Sequence, residues 1–223
     1  MVVHDRVVLF MLTGSSCSGK TTAAHACTTI TGLVVHDFDE VGVPSCADLV
    51  WRQRATEDWI GRAIDYQSRG LDLLLTGQSP LGEILTSPSA RALDGIAVCL
   101  LDVKDRERLD RLDARDPGRW DLDAKRSFIQ WARWHREHAA DPQSRPEVIT
   151  AGGWAAMRWD RWTTWTSSDP RWHTAVIDTT SQPTTDTGAE IQRWVAGGRA
   201  ANASARLALA AGWDHSDQSR GRR

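Results

Sequence analysis

The sequence predicts an α/β protein, a five-stranded parallel sheet with helices on both faces. Two observations predict it. Short apolar runs alternate with longer stretches of helical pattern through the first 196 residues. The first apolar run also ends in a glycine-rich turn that opens a helix, Gly14-Ser15-Ser16-Cys17-Ser18-Gly19-Lys20-Thr21.

Taken in order, Val7–Leu12 is the first strand and Lys20–Thr31 the first helix. Leu33–His36 is a second, short strand that ends at Asp37. Cys46–Arg69 reads as a long helix, with Leu49, Ile60 and Ile64 among its apolar residues. Leu71–Thr76 is the third strand, broken by Gly77 and Pro80, and a short helix follows within Pro80–Leu93. Ile96–Val103 is the fourth strand and Lys104–Arg115 a highly charged helix, stopped by Pro117 and Gly118. Leu122–Ala139 returns to helix, with Phe128, Ile129 and Trp131 among its apolar residues. From Asp141 to Pro170 the pattern is irregular and rich in Trp, Pro and Gly. Thr174–Ile177 is the fifth strand and Asp186–Ala196 the helix after it. Beyond Gly197-Gly198 an alanine-rich helix is expected, and His215–Arg223 reads as a flexible tail. The expected division is one domain over 1–198, with a lid at about 104–125 and a tryptophan-rich insertion at about 131–172, followed by 199–223.

Composition narrows the function classes. A net charge of −2 over 223 residues lacks the basic excess that phosphate neutralisation demands, which speaks against a nucleic-acid partner. No apolar run approaches the roughly 18 to 20 residues of a membrane span. The chain enters its first strand almost at once, so no leader peptide and a cytoplasmic location are expected. The four cysteines, Cys17, Cys27, Cys46 and Cys99, form no C-x-x-C pair, so neither a zinc site nor a disulfide framework is expected. Eight of the twelve tryptophans lie between Trp120 and Trp172, and most of them are expected to anchor a core, with a minority lining a cleft.

The turn at Gly14–Thr21 satisfies G-x-x-x-x-G-K-[ST] at every fixed position. A strand, a glycine-rich turn and a helix in that order aim several backbone N–H groups at one spot, which suits a triphosphate. Gly14, Ser15, Ser16, Cys17, Ser18, Gly19, Lys20, Thr21 and Thr22 are the expected nucleotide ligands. Lys20 would reach the β- and γ-phosphates, and the Thr21 hydroxyl would ligate Mg²⁺. Cys17 reads as a small filler in this loop.

Ligands of a parallel α/β sheet bind at the carboxyl ends of the strands. Asp37-Phe38-Asp39-Glu40 follows the second strand, and its alternate carboxylates would serve Mg²⁺ and the proton of a substrate hydroxyl. The residues alone do not say which of Asp37 and Asp39 is the base. The third strand ends in Thr76-Gly77-Gln78-Ser79 and lacks the acid that usually closes it in such proteins, which moves metal holding to Asp37. Arg106, Arg108, Arg111, Arg115 and Arg119 follow the fourth strand. Arg111 and Arg115 share a helical face and would close over the transferred group, while Arg115 and Arg119 flank the Pro117-Gly118 break as lid residues. Arg106 and Arg108 fit that role or a surface laced with ion pairs equally well. Arg52 and Arg54 would bind substrate or stand as exposed helix charges. His135 and His138 lack a third ligand nearby, so a solvated helix face is expected.

The order of the glycine-rich loop, Asp37-x-Asp39, Thr76-Gly77-Gln78, an arginine-rich helix and Ile177-Asp178-Thr179-Thr180 resembles the P-loop small-molecule kinases. The nearest group is that of shikimate and gluconate kinases, with nucleoside monophosphate kinases and chloramphenicol phosphotransferase as relatives. The resemblance spans roughly residues 5 to 196 and implies the P-loop NTPase fold with sheet order 2-3-1-4-5 and a helical lid. It implies ATP and Mg²⁺ as cofactors and a small-molecule hydroxyl acceptor. Asp37 would sit near Mg²⁺, and Asp39 would bind or deprotonate the acceptor. Arg52 or Arg54 would hold the acceptor, with Gly77 and Gln78 lining its pocket, and the loop holding Thr180 and Pro183 would border the adenine. Gly77-Gln78-Ser79 departs from the glycine-only turn of that group, and the tryptophan-rich insertion has no counterpart in its small members. A nucleotide-binding ATPase or GTPase without phosphotransfer, or a resistance protein that confines its ligand by binding, is the competing expectation.

Overall fold

The computed structural model describes residues 6–214. The expected flexible tail over 215–223 and the first five residues lie outside the described residues. Five strands, β1 (Leu9–Thr13), β2 (Leu33–Asp37), β3 (Asp72–Thr76), β4 (Ile96–Asp102) and β5 (Thr174–Asp178), form one sheet in the order β2-β3-β1-β4-β5. Every pairing is parallel. The helices are α1 (Lys20–Ala24), α2 (Leu49–Gln67), α3 (Leu81–Thr86), α4 (Asp105–Arg115), α5 (Leu122–Ala140), α6 (Glu147–Thr150) and α7 (Thr184–Ala203).

Side chains alternate across a strand, so a buried parallel sheet divides its apolar residues between two cores. On one face Leu9, Met11, Leu73, Leu75 and Val98 pack with α2, α3 and most of the buried tryptophans. On the other, Val8, Phe10, Leu12, Leu74, Cys99 and Ile177 pack with α1 and α7.

Three boundaries differ from the sequence reading by three residues or more. The first helix stops at Ala24 and continues only as a 3₁₀ turn over His25–Cys27, because Thr28-Thr29-Ile30-Thr31 is a run of poor helix formers. The long second helix starts at Leu49, where Asp48 caps it by accepting from the Trp51 amide at 2.7 Å. The last helix runs without a break through Gly197 and Gly198, so the change of segment expected at residue 198 falls inside α7. Gly198 is there for close approach: a Cβ would lie 2.5 Å from Phe10 Cε1.

Beyond the end of α5 at Ala140 the tryptophan-rich insertion holds only α6 and a 3₁₀ turn at Trp159–Arg161, and that turn lies against α3. The Arg158 amide donates to Thr86 O at 2.8 Å, and Trp162 Nε1 donates to Gly82 O at 2.9 Å. Trp134, Trp162, Trp165 and Trp172 are buried there, as the anchor reading expects. His135 and His138 correct the sequence reading, because both are buried rather than solvated. His138 stacks on Trp134 at 4.8 Å and meets Trp162 and Trp172 edge-on. Burial holds its pKa down at about 4 and that of His135 at about 3.

Candidate active site

The glycine-rich loop is held from behind by its carbonyls. Lys20 Nζ donates to Gly14 O at 2.8 Å and Ser15 O at 3.2 Å. Arg108 Nη1 donates to Ser16 O at 2.7 Å, Arg111 Nη1 to Cys17 O at 3.3 Å, and Thr179 Oγ1 to Ser18 O at 3.2 Å. Each carbonyl from Gly14 to Ser18 therefore accepts a side-chain donor. With its carbonyls so engaged, the loop can turn amides toward an anion, the Ser18 amide apart, which donates to Ser15 O at 3.3 Å. Gly14 takes φ +148°, and a Cβ there would stand 2.3 Å from Leu101 O, so the loop follows β4 more closely than any side chain allows. Gly19 at φ +91° makes the left-handed step that starts α1.

Arg108 and Arg106 part company. Arg108 is fully buried beneath the loop, paired to Asp102 Oδ1 at 2.8 Å, whereas Arg106 is exposed in a loose pair with Asp110. The spacing of Arg108 and Arg111, three apart on α4, was the signal available in the sequence for a shared inner face. Burial, followed by the Arg108 charge, lowers the Lys20 pKa to about 8; a polyphosphate beside it would favour the charged ammonium. Burial raises the Cys17 thiol pKa against the pull of Arg115, Arg108 and Lys20, which agrees with a filler rather than a nucleophile.

The acidic turn is built by reciprocal capping. Asp37 Oδ1 accepts from the Asp39 amide at 3.0 Å, while Glu40 Oε1 accepts from the Asp37 amide at 2.8 Å. Asp37 Oδ2 accepts from Thr21 Oγ1 at 2.7 Å and Thr76 Oγ1 at 2.8 Å. Asp37 and Thr76 are register partners, so Thr76 occupies the strand end where an acid was absent and binds the acid from the next strand instead. The two carboxylates differ in basicity. Burial opposes ionisation of Asp37, but bonds from Thr21, the Asp39 amide and Thr76 hold its pKa below the ordinary value. Asp39 accepts no such bond among the described residues; burial and then the Asp37 charge push its pKa up.

These groups line one cavity of about 960 Å³. Of the expected ligands it gathers Ser16, Cys17, Gly19, Lys20, Thr21, Thr22, Asp37, Asp39, Arg52, Gly77, Gln78 and Arg115. Gly14, Ser15 and Ser18 lie behind the loop surface, with Ser15 Oγ donating to Phe128 O at 3.0 Å. Gly77 is a close approach: a Cβ would meet Met11 Cε at 2.9 Å and Phe38 Cβ at 3.0 Å. Arg54, Arg119, Thr180 and Pro183 are outside the lining. Arg54 is exposed over Trp154, Arg119 is exposed over Trp120, and Thr180 is engaged with Asp178 and the Lys104 amide. In that last turn Thr179 and Gln182 reach the cavity, Thr179 being clamped by Arg111 Nη2 at 2.7 Å through its carbonyl.

Arg52 lines the cavity with its guanidinium committed elsewhere. It grips the fully buried Glu83 through Nη2 at 2.6 Å and Nε at 3.0 Å, and it lies 4.6 Å over the Trp131 ring. Breaking such a buried pair costs about 3–5 kcal/mol, because one charge is stranded. Glu83, Trp51, Trp131 and Val148 were not singled out as site residues from the sequence. A lone acid within the apolar Leu81-Gly82-Glu83-Ile84-Leu85 was the available signal for the first.

No known family model matches the sequence, and no curated protein matches it. Solved structures do match. A sugar kinase from Janibacter sp. HTCC2649 is 18% identical, with 87% of this chain and 96% of that chain covered and a TM-score of 0.52. A thymidylate kinase from Candida albicans is 10% identical, with 89% and 94% covered and a TM-score of 0.53. With its five parallel strands and phosphate-type loop, the chain has the α/β P-loop fold of these small-molecule kinases.

Proposed function

We propose that the protein is an ATP-dependent kinase that transfers the γ-phosphoryl group to a hydroxyl of a small molecule. The observation that carries this reading is the split between Asp37 and Asp39 at the mouth of the phosphate-type loop. One carboxylate is saturated by hydroxyl and amide donors, and the other is free of them and more basic. A second, unbonded carboxylate facing the same cavity suits a proton acceptor for a substrate hydroxyl.

The donor set fits Mg²⁺. Among the described residues no group of three or more His, Cys, Asp or Glu side chains is poised to hold a metal. Magnesium in such sites is held by one or two protein oxygens together with nucleotide phosphates and water, and the Thr21 hydroxyl beside the Asp37 carboxylate matches that demand. When bound, Mg²⁺ neutralises charge on the phosphate oxygens. Lys20 and the loop amides orient the triphosphate, and Arg111, fixed to Cys17 and Thr179, adds positive charge at the same end. Asp39 accepts the proton of the acceptor hydroxyl. The acceptor oxygen forms a bond to the γ-phosphorus as the bond to the β,γ-bridging oxygen breaks, and ADP leaves with that electron pair. Residues 104–125 serve as the lid, anchored through Arg108 and Arg111, with Arg115 paired to its neighbour Asp116.

ATP carrying a labelled γ-phosphate, offered with a panel of hydroxylated metabolites, nucleosides and antibiotics, tests the reading by the mass of the product. Phosphorylation of an acceptor is expected. Hydrolysis of ATP with no phosphorylated product would sink it.

A further inference from the structure

The geometry points to an acceptor that carries no anionic group and presents a flat apolar body, an inference that rests on the phosphoryl-transfer reading of the same cavity. From Asp39 outward the cavity wall is a continuous chain of contacts. Phe38, next to Asp39, meets Trp51 edge-on at 6.0 Å. Arg52 follows Trp51 on α2 and lies over Trp131, whose ring also faces the cavity. Val43 and Val148, two of the few large apolar side chains left exposed among the described residues, line the same cavity. Exposed apolar surface that forms part of a concave site marks where an apolar ligand sits.

Charge decides the rest. Among the described residues four cationic side chains line the cavity, Lys20, Arg52, Arg111 and Arg115. Lys20 and Arg111 hold the loop carbonyls at the triphosphate end, and Arg115, one turn beyond Arg111 on α4, is paired with Asp116. Of the described cations Arg52 stands at the other end, and both of its bonded nitrogens face the buried Glu83 carboxylate. An acceptor carboxylate or phosphate would find no uncommitted cation there among the described residues, and it would face Asp39 and Asp48. Moving an unpaired anion from water to such a wall is unfavourable, whereas a flat apolar body gains by packing against Trp51, Val43, Val148 and the part of Trp131 that Arg52 and Trp134 leave uncovered. The Arg52–Glu83 pair thus acts as a specificity element: it keeps a guanidinium in the wall for packing while removing its charge from the acceptor.

Calorimetric titration of the full chain with matched probes tests this without requiring turnover. The first pair is 4-nitrophenyl β-D-glucoside and the corresponding glucuronide, and the second is thymidine and its 5′-monophosphate. The uncharged member of each pair is expected to bind at least tenfold more tightly. Glu83→Gln, which releases the Arg52 charge with little change of shape, should shrink that ratio by at least fivefold. Trp131→Ala, on a half-buried residue, should weaken the uncharged probes by about tenfold and guards against a Glu83 variant that does not fold. Equal affinity, preference for the anionic members, or no saturable binding of any probe would overturn the inference. Preferential binding with no phosphoryl transfer to any alcohol would overturn the kinase reading alone. Transfer to anionic acceptors with no such preference would overturn this inference alone.

Discussion

Thr21 Oγ1 donates to Asp37 Oδ2 at 2.7 Å, and so ties the first residue after the phosphate-loop lysine to the carboxyl end of a strand two places away in the sheet. Thr76, on the strand between them, donates to the same oxygen. A carboxylate gripped in this way is prepared for a hard cation rather than for a proton. Asp37→Asn is therefore expected to raise the Mg²⁺ concentration for half-maximal activity by about tenfold, the order expected for a disturbed ligand shell. Titration of activity against Mg²⁺ at saturating ATP checks it, and an unchanged half-point counts against Asp37 as the metal-holding residue.

Asp39 has the opposite character. Its pKa is raised by burial and the Asp37 charge, so on acidification it takes up a proton before Asp37 does. The acid limb of kcat/KM should then lie above the ordinary aspartate value of about 3.9. Asp39→Asn should lower kcat by about 10²–10⁴, the usual worth of a general base, and leave nucleotide affinity within about twofold. A variant that keeps full kcat would remove Asp39 from the mechanism.

Arg52 and Glu83 should behave as a unit in stability. Arg52→Ala strands a buried carboxylate and is expected to cost about 3–5 kcal/mol, while Arg52→Met with Glu83→Leu should cost far less than the two single changes summed. Urea unfolding of the four proteins gives the coupling directly. Additive losses would mean that the pair is not coupled in solution.

The buried histidines predict acid sensitivity. His138 and His135 have folded pKa values of about 4 and about 3, against about 6.5 in an unfolded chain. As pH falls the unfolded chain binds protons first, so their contribution is complete above about pH 6.5 and is lost progressively toward pH 3–4. Each should remove about 2 kcal/mol between pH 7.5 and pH 5. His138→Phe keeps the aromatic packing and should flatten that decline in urea midpoints measured across the range; an unchanged slope would mean that His138 does not titrate on unfolding.

The fold was legible because its signals are local. Val7–Leu12 followed by Gly14–Thr21 specifies a strand, a turn and a helix within fifteen residues, and Asp37 follows a strand whose neighbours alternate with helices. The acceptor end was not legible. That Glu83 neutralises Arg52 depends on two helices separated by a strand, a pairing 31 residues apart that no period announces. The spacing of His135 and His138 told which face they share but not that Trp162 and Trp172, more than 20 residues later, cover it. The continuity of α7 through Gly197-Gly198 is hidden for the same reason, since Gly198 answers to Phe10 on β1, far away in sequence.

That crossing of α7 over β1 also has a bearing on how the protein is made. Asp72, which accepts from the Val8 amide at 2.6 Å, is buried, and its counter-charge is Arg199 at 2.5 Å; nearby, Asn202 donates to Val7 O at 2.9 Å. The strand that carries the glycine-rich loop leaves the ribosome well before the residues that fasten its base, Asn202 being 195 residues later than Val7. During synthesis, at roughly 5–20 residues per second, the loop therefore waits many seconds for its support, and a chain halted short of Arg199 keeps the whole motif while leaving Asp72 without its cation.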